Sequence, residues 1–311
     1  MLTLEEAKQQ LTPLVQSGRL IVFVGSGISV DSGLPTWDGF LDKYIDFCKG
    51  LSSQYKGYEI DRVIGHDLLA DATTERFKNP VHVATVLKSK LTELPQNIRT
   101  NVENDFKRWF FGLFAAAIPN NKHKLITSTN YPYILTSNYD LLLEDAAKLI
   151  GSPYSSLSFF QKELIAEAIY LRTPAIIHVH GQCGDVVLNK IVLTSEDYVR
   201  VIKKGVPGFS FAVQSLFLTH STLFVGYGAS DPHLEDLIEE FAYFFDFPQT
   251  NNISKNFLVV TRERAGRILN DYKRRFRTEL IVIDDFSEYE VLLKHLQQAG
   301  PRQFDLPLGR T

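Results

Sequence analysis

Leu20-Ile21-Val22-Phe23-Val24 is an unbroken apolar run that ends on Gly25-Ser26-Gly27. A strand with one wet face alternates apolar and polar residues. A continuous run is buried on both faces, the condition inside a parallel sheet. Parallel strands need crossover connections, so helices have to follow. The pattern recurs at Tyr133 to Thr136, Ala175 to Val179, Thr222 to Val225, Phe257 to Val260 and Leu280 to Ile283. Most of these runs pass through a turn signal into a helical pattern. Those helices are Asp140 to Ile150 closed by Gly151, His233 to Phe245 entered through Asp231-Pro232, Arg262 to Phe276, and Ser287 to Ala299 closed by Gly300. Strand, turn and helix repeated in this way predict an α/β fold, a doubly wound parallel (Rossmann-like) sheet. A helix precedes the first strand. Thr3 and Glu6 have capping-box spacing, Leu4, Ala7, Leu11, Leu14 and Val15 share a face, and Pro13 is expected to weaken or bend it.

Two segments break the alternation. Residues 36–124 are almost wholly helical in pattern, with Trp37, Phe40, Leu41, Tyr44, Ile45 and Cys48 on one face and an aromatic-rich stretch from Phe106 to Ile118. Residues 152–173 form a shorter insert. The expected layout is one domain over 1–300. Its Rossmann core covers about 1–35, 125–151 and 174–300. An inserted helical subdomain covers about 36–124 and 152–173, and a tail covers 301–311. The 311 residues suit one large domain or two modest ones, and 44% hydrophobic with 22% charged residues excludes wholesale disorder. A net charge of −3 implies no strong nucleic-acid footprint. Cys48 and Cys183 lie far apart and support neither a four-cysteine zinc site nor a secreted disulfide scaffold. The first residues lack the basic-then-apolar order of a signal peptide, and the longest greasy stretch is about half the ~20 residues that span a bilayer. A cytoplasmic protein without a membrane segment is expected.

Four features fall at the carboxyl ends of these strands, where open α/β sheets bind ligands. The first is Gly25-Ser26-Gly27-Ile28-Ser29, continuing through Ser32-Gly33-Leu34-Pro35. Glycines after a buried strand allow a sharp turn and close backbone approach, and amides there can bind phosphate. The third glycine of the dinucleotide fingerprint is absent at Val30, so a simple tight strand exit is an equal reading. The second is Thr136-Ser137-Asn138-Tyr139-Asp140, in which Asn138 could cap the next helix and Asp140 could favour its first turn. The third is His178-Val179-His180-Gly181. Period two puts both histidines on one side of the strand, with His180 at its tip, and such an imidazole can act as a base or serve as a core or cap residue. The fourth is Gly226-Tyr227-Gly228-Ala229-Ser230-Asp231-Pro232, a second glycine-rich exit that also reads as a helix cap. Jointly the four should converge on one rim of the sheet beneath an aromatic helical cover, the build of a nucleotide site.

In this order the motifs resemble those of the sirtuins. Gly25 to Pro35 is similar to the sirtuin cofactor loop, Thr136 to Asp140 to the threonine-glutamine-asparagine-isoleucine-aspartate segment, His180-Gly181 to the catalytic histidine-glycine pair, and Gly226 to Ser230 to the later glycine-rich loop. The departures point to a branch. The two cysteine pairs of the sirtuin zinc ribbon are missing, Trp37-Asp38-Gly39-Phe40 stands near where the first loop's arginine would be, and Tyr139 replaces isoleucine. The large helical insert is also unlike a deacylase. The whole is similar to the zinc-lacking sirtuin-like domains of bacterial antiphage systems, which hydrolyse NAD.

That resemblance implies NAD as substrate, no zinc, and cleavage of the nicotinamide–ribose bond to nicotinamide and ADP-ribose. It implies His180 as the base and Asn138 as the group that positions water and ribose. Asp140 and Ser29 would match the nicotinamide pocket, Gly25, Ser26 and Gly27 the pyrophosphate, and Gly226, Gly228 and Ser230 the adenosine side. Two alternatives stay open at this level: an NAD-dependent deacylase or ADP-ribosyltransferase, and a non-catalytic nucleotide-binding sensor or scaffold. Control is expected from self-assembly as a homo-oligomer or from a regulatory partner, a HerA-type ATPase or a short Argonaute among the options. Phe241 to Phe245 reads as buried core or an interface patch.

Overall fold

The computed structural model describes residues 1–55, 60–75, 79–185, 190–200, 207–228, 254–275 and 278–300. The helix expected over 233–245, its aromatic patch, Ser230 and the 301–311 tail lie outside the described residues.

Seven strands form one sheet: β1 Leu20–Val24, β2 Tyr133–Thr136, β3 Ser155–Ser158, β4 Ala175–His178, β5 Ser221–Val225, β6 Asn256–Thr261 and β7 Thr278–Ile283. Their order is β3-β4-β2-β1-β5-β6-β7 and every pair is parallel. The expected doubly wound parallel sheet is therefore present. β1 sits where the winding reverses, flanked by β2 and β5, so the ligand-binding crevice of such a sheet falls at its carboxyl end.

The apolar run of β1 is explained by both of its faces. Ile21 and Phe23 enter one core with residues of α9 Lys162–Leu171, α11 Pro207–Thr219 and α12 Arg262–Arg275. Leu20, Val22 and Val24 enter another with residues of α1 Leu4–Gln16, α7 Asn121–Ser128 and α13 Glu288–Ala299. Alternate side chains of one strand thus serve two helical layers. In α1 the Thr3 and Glu6 capping box forms as expected, and Pro13 sits inside the helix without ending it. α8 Leu142–Ile150 ends on Gly151 with φ +70°.

A third core belongs to the helical subdomain: α2 Trp37–Gln54, α3 Ile60–Val63, α4 His66–Glu75, α5 Pro80–Thr92 and α6 Gln96–Phe114. Its aromatic interior runs from Phe40 and Tyr44 to Phe106 and Phe110. It meets the sheet's carboxyl edge through Leu34, Tyr139, Leu142, Ile191 and Leu193.

Two boundaries differ from the sequence reading. Residues 152–173 are not a helical insert. They hold edge strand β3, paired to β4, and α9, packed on the sheet. Ser-Ser-Leu-Ser carries no apolar run because its first two residues are exposed on the sheet's edge. The other boundary concerns α7. Its Leu125 and Ile126 pack against the sheet, so the helical subdomain ends before Asn120, the capping residue of α7.

Candidate active site

The loops after β1, β2, β4 and β5 converge, because these strands are neighbours in the sheet. The β1 and β5 loops touch backbone to backbone. A Cβ on Gly25 would stand 2.6 Å from the Gly226 oxygen, and one on Gly27 would stand 2.8 Å from it. Gly25 and Gly27 donate their N–H groups to the carbonyls of Val225 and Gly226, each at 2.9 Å. The glycine pair therefore serves this loop-to-loop approach, which a larger residue would prevent.

Asn138 is held at three points. Its backbone N–H donates to Thr136 Oγ1 at 3.0 Å, and that hydroxyl donates to the Val24 carbonyl at 2.9 Å. Its backbone carbonyl accepts from His178 Nδ1 at 2.9 Å. Its side-chain Nδ2 donates to Ser29 Oγ at 3.1 Å. Ser29 in turn donates to Asp140 Oδ2 at 2.9 Å. A hydroxyl has one hydrogen, so a Ser29 committed to Asp140 can only accept from Asn138. That fixes the sense of the amide. Nδ2 faces Ser29, and Oδ1 is left buried with no partner.

His123 completes the back of this network. Its Nε2 lies 3.3 Å from Ser29 Oγ, and its Nδ1 faces Asn120, 2.9 Å from the side-chain Oδ1 and 3.3 Å from the backbone N–H. Burial, with the adjacent Lys122 charge, lowers the His123 pKa to about 4. Asp140 Oδ1 accepts the Leu142 N–H at 3.1 Å, so Asp140 rather than Asn138 serves the start of α8. Burial raises the Asp140 pKa above its ordinary value, and its hydrogen bonds to Leu142 and Ser29 offset only part of that.

His180 follows β4 after one residue and lines the same cleft as Asn138 and Asp140. The Gly181 turn beside it has φ +80°, and a Cβ there would lie 2.2 Å from the Lys190 carbonyl. The two histidines of the motif separate in role. His178 is fully buried inside the sheet, while His180 reaches the cleft.

The cleft has a cavity volume of about 120 Å³. Gly25, Ser26, Asn138, Asp140, His180 and Gly228 line it. Gly27, Ser29 and Gly226 are not among its lining residues, and Ser230 lies outside the described residues. Its roof comes from the helical subdomain: Trp37 and Phe40, with ring centroids 5.5 Å apart, then Val81 and Phe114. Tyr139 packs into that roof, 5.1 Å from Phe110, and its hydroxyl donates to the Val192 carbonyl at 2.6 Å. Asn120, His123 and Glu144 were not among the candidates from sequence, although the Asn120 cap signal was readable.

The protein is thus of the doubly wound α/β class, with an amide, a carboxylate and an imidazole set by its reversal-point loops under an aromatic roof, where such sheets bind ligands. Residues 132–281, just under half of the chain, match the family model described as a SIR2-like domain. It is 24% identical over 234 residues to "Defense-associated sirtuin 2" of Bacillus subtilis, covering 75% of this chain and 20% of that protein. It is 20% identical over 320 residues to "NAD(+) hydrolase ThsA" of Enterococcus faecium, covering 93% of this chain and 57% of that one. The chain thus spans a fifth of one relative and little over half of the other. A solved Sir2 homologue in complex with 2′-O-acetyl ADP ribose aligns over 99% of both chains with a TM-score of 0.43 and 13% identity. Among the described residues no three His, Cys, Asp or Glu side chains gather as metal ligands, and no helix is long and apolar enough to cross a membrane.

Proposed function

We propose that the chain hydrolyses NAD at the nicotinamide–ribose bond, releasing nicotinamide and ADP-ribose, as an effector of antiphage defence. One observation carries the reading: the Asn138 Oδ1. Of the buried side-chain oxygens without a partner among the described residues, it is the one on a residue lining the cleft. A buried acceptor left unpaired costs about 1–3 kcal/mol, which a hydroxyl or water placed in the cleft would relieve. The donor set suits a ribose: an amide oxygen for a hydroxyl or water, a neighbouring imidazole, and a carboxylate able to accept from a carboxamide.

The chemistry asks little of a general acid. The pyridinium nitrogen takes the bonding pair as the bond to ribose C1′ breaks, and the leaving nicotinamide is neutral. Asn138 Oδ1 holds the attacking water by accepting one of its hydrogens. His180 takes the proton released when the water oxygen bonds C1′, directly or through a ribose hydroxyl. The aromatic roof limits bulk water. The names of the two relatives support both the NAD hydrolysis and the defence setting. The proposal extends to a cytoplasmic protein that brings about abortive infection by depleting NAD, held silent by self-assembly or a partner.

Purified protein, alone and with the products of neighbouring genes, is incubated with NAD and no acyl-lysine peptide. Nicotinamide and ADP-ribose should appear in equal amounts. Asn138→Ala and His180→Ala should each slow release by about 100-fold or more. No release in any assembly state would overturn the reading.

A further inference from the structure

His178 is the histidine that this mechanism leaves unused. It lies fully buried on β4, between α8 and the turn that carries Asn138. Both ring nitrogens face oxygens: Nδ1 is 2.9 Å from the Asn138 carbonyl, and Nε2 is 2.8 Å from Glu144 Oε1. A carbonyl and a carboxylate are both acceptors, so each nitrogen must carry a hydrogen for both contacts to be bonds. Ser156 also donates to Glu144 Oε1, at 2.8 Å.

We propose that His178 is a positioning residue, a buried imidazolium neutralised by Glu144, which fixes the Asn138 carbonyl and through it the aim of the Asn138 amide. The proposal rests on Asn138 acting as described above. The ionisable groups facing the ring are Glu144 from α8 and Asp140 from the loop before it. Burial alone would lower the His178 pKa, but Glu144, the Asn138 carbonyl and Asp140 raise it above the ordinary value. Burial likewise opposes a charged Glu144, and the charge and hydrogen bond of His178 outweigh it, so its pKa lies below the usual value. An apolar pair could fill this volume. An imidazole here delivers what Leu or Phe cannot, a hydrogen-bond donor aimed at the backbone of a residue in the cleft.

Three proteins separate positioning from mere stability. His178→Phe leaves the Glu144 carboxylate buried and unpaired, and should fold poorly. The double variant His178→Phe/Glu144→Leu removes both charges together, and should regain thermal stability. Its nicotinamide release should still be on the order of 10- to 100-fold slower in kcat, with KM for NAD nearly unchanged, because the Asn138 turn has lost its donor. Glu144→Gln keeps a ring N–H on the carbonyl and should retain most of kcat. Recovery of full kcat along with stability in the double variant would overturn the proposal. Nitrogen-15 histidine spectra give a readout independent of turnover: His178 should show two protected ring N–H signals at neutral pH, and one or none would overturn it. Should the double variant not fold, those spectra decide alone. Should the wild type release no nicotinamide, the proposed reaction is lost. His178 is then judged on the Asn138 side-chain amide signals in the double variant, where displacement supports the pinning and invariance refutes it.

Discussion

At the scale of single residues, the site depends on hydroxyl and imidazole valence more than on charge. Ser29 gives its one hydrogen to Asp140 and accepts from Asn138, with His123 Nε2 3.3 Å away. Burial and the adjacent Lys122 charge hold His123 neutral. Its folded pKa, about 4, lies below the ordinary value of 6.5. The folded state binds this proton less readily than the unfolded chain does. The stabilisation is therefore present above pH 6.5 and is lost as pH falls toward 4, by up to about 3 kcal/mol. Urea midpoints should drop across that window, and His123→Gln should flatten the slope. Equal slopes in the two proteins would mean that His123 is not held neutral. Asn138 and His180 were legible in the sequence because each stands beside a strand end in a short motif. His123 and Glu144 were not. The contact from His123 to Ser29 spans 94 positions, and that from Glu144 to His178 spans 34, with no local pattern to announce either.

At the scale of elements, legibility followed burial. Strands buried on both faces left apolar runs, and six of the seven were read from them. β3 escaped because an edge strand needs an apolar side chain only where it meets the core, and Leu157 is that residue. The sequence boundary at 124 cut through α7, leaving its first residues with the inserted subdomain, because a helical pattern is the same in either core and only packing shows which one it serves. Glycines show the same division between local signal and tertiary cause. Gly25 was readable as a tight exit, but its small size is required by Gly226, two hundred residues away in the chain. Gly181 combines both demands, a left-handed backbone and a carbonyl 2.2 Å from where a Cβ would be. Gly181→Ala should destabilise the fold by at least ~1–3 kcal/mol, the usual cost of forced overpacking. Since Gly181 follows His180 directly, the surviving folded protein should also lose nicotinamide release. Thermal melting and turnover of the same sample check both, and a wild-type melting point would refute the steric argument.

At the scale of the molecule, the helical subdomain has to be tied to the sheet if its aromatics are to roof the cleft. The tie is α5. Lys88 donates to both oxygens of Asp197 at 2.7 Å, and Thr85 Oγ1 accepts the Ser195 N–H at 3.3 Å. Asp197 also accepts the N–H groups of Leu193 and Thr194, each at 3.1 Å, and those two residues line the cleft wall. The neighbouring Val192 donates to the His180 carbonyl at 2.9 Å and accepts from Tyr139. One buried carboxylate thus joins a roof helix to the wall that carries backbone contacts to His180 and Tyr139. Burial works against its charge, but Lys88 and the surrounding donors outweigh that and lower its pKa. Lys88→Met keeps an unbranched apolar stem, one atom shorter, and removes the charge. Asp197 retains Arg200 at 3.0 Å and its backbone donors, so the cost should be about 1–3 kcal/mol rather than the larger loss of a wholly unpaired buried ion. Asn138 and His180, the groups proposed to act, stay in place on the loops after β2 and β4. The wall and roof that grip the ligand before reaction lose their common anchor. KM for NAD should therefore rise several-fold while kcat changes by less than about threefold, the signature of lost uniform binding. A fall in kcat at constant KM would place the coupling in the reacting geometry instead, and would show that the roof aligns His180 rather than merely covering it.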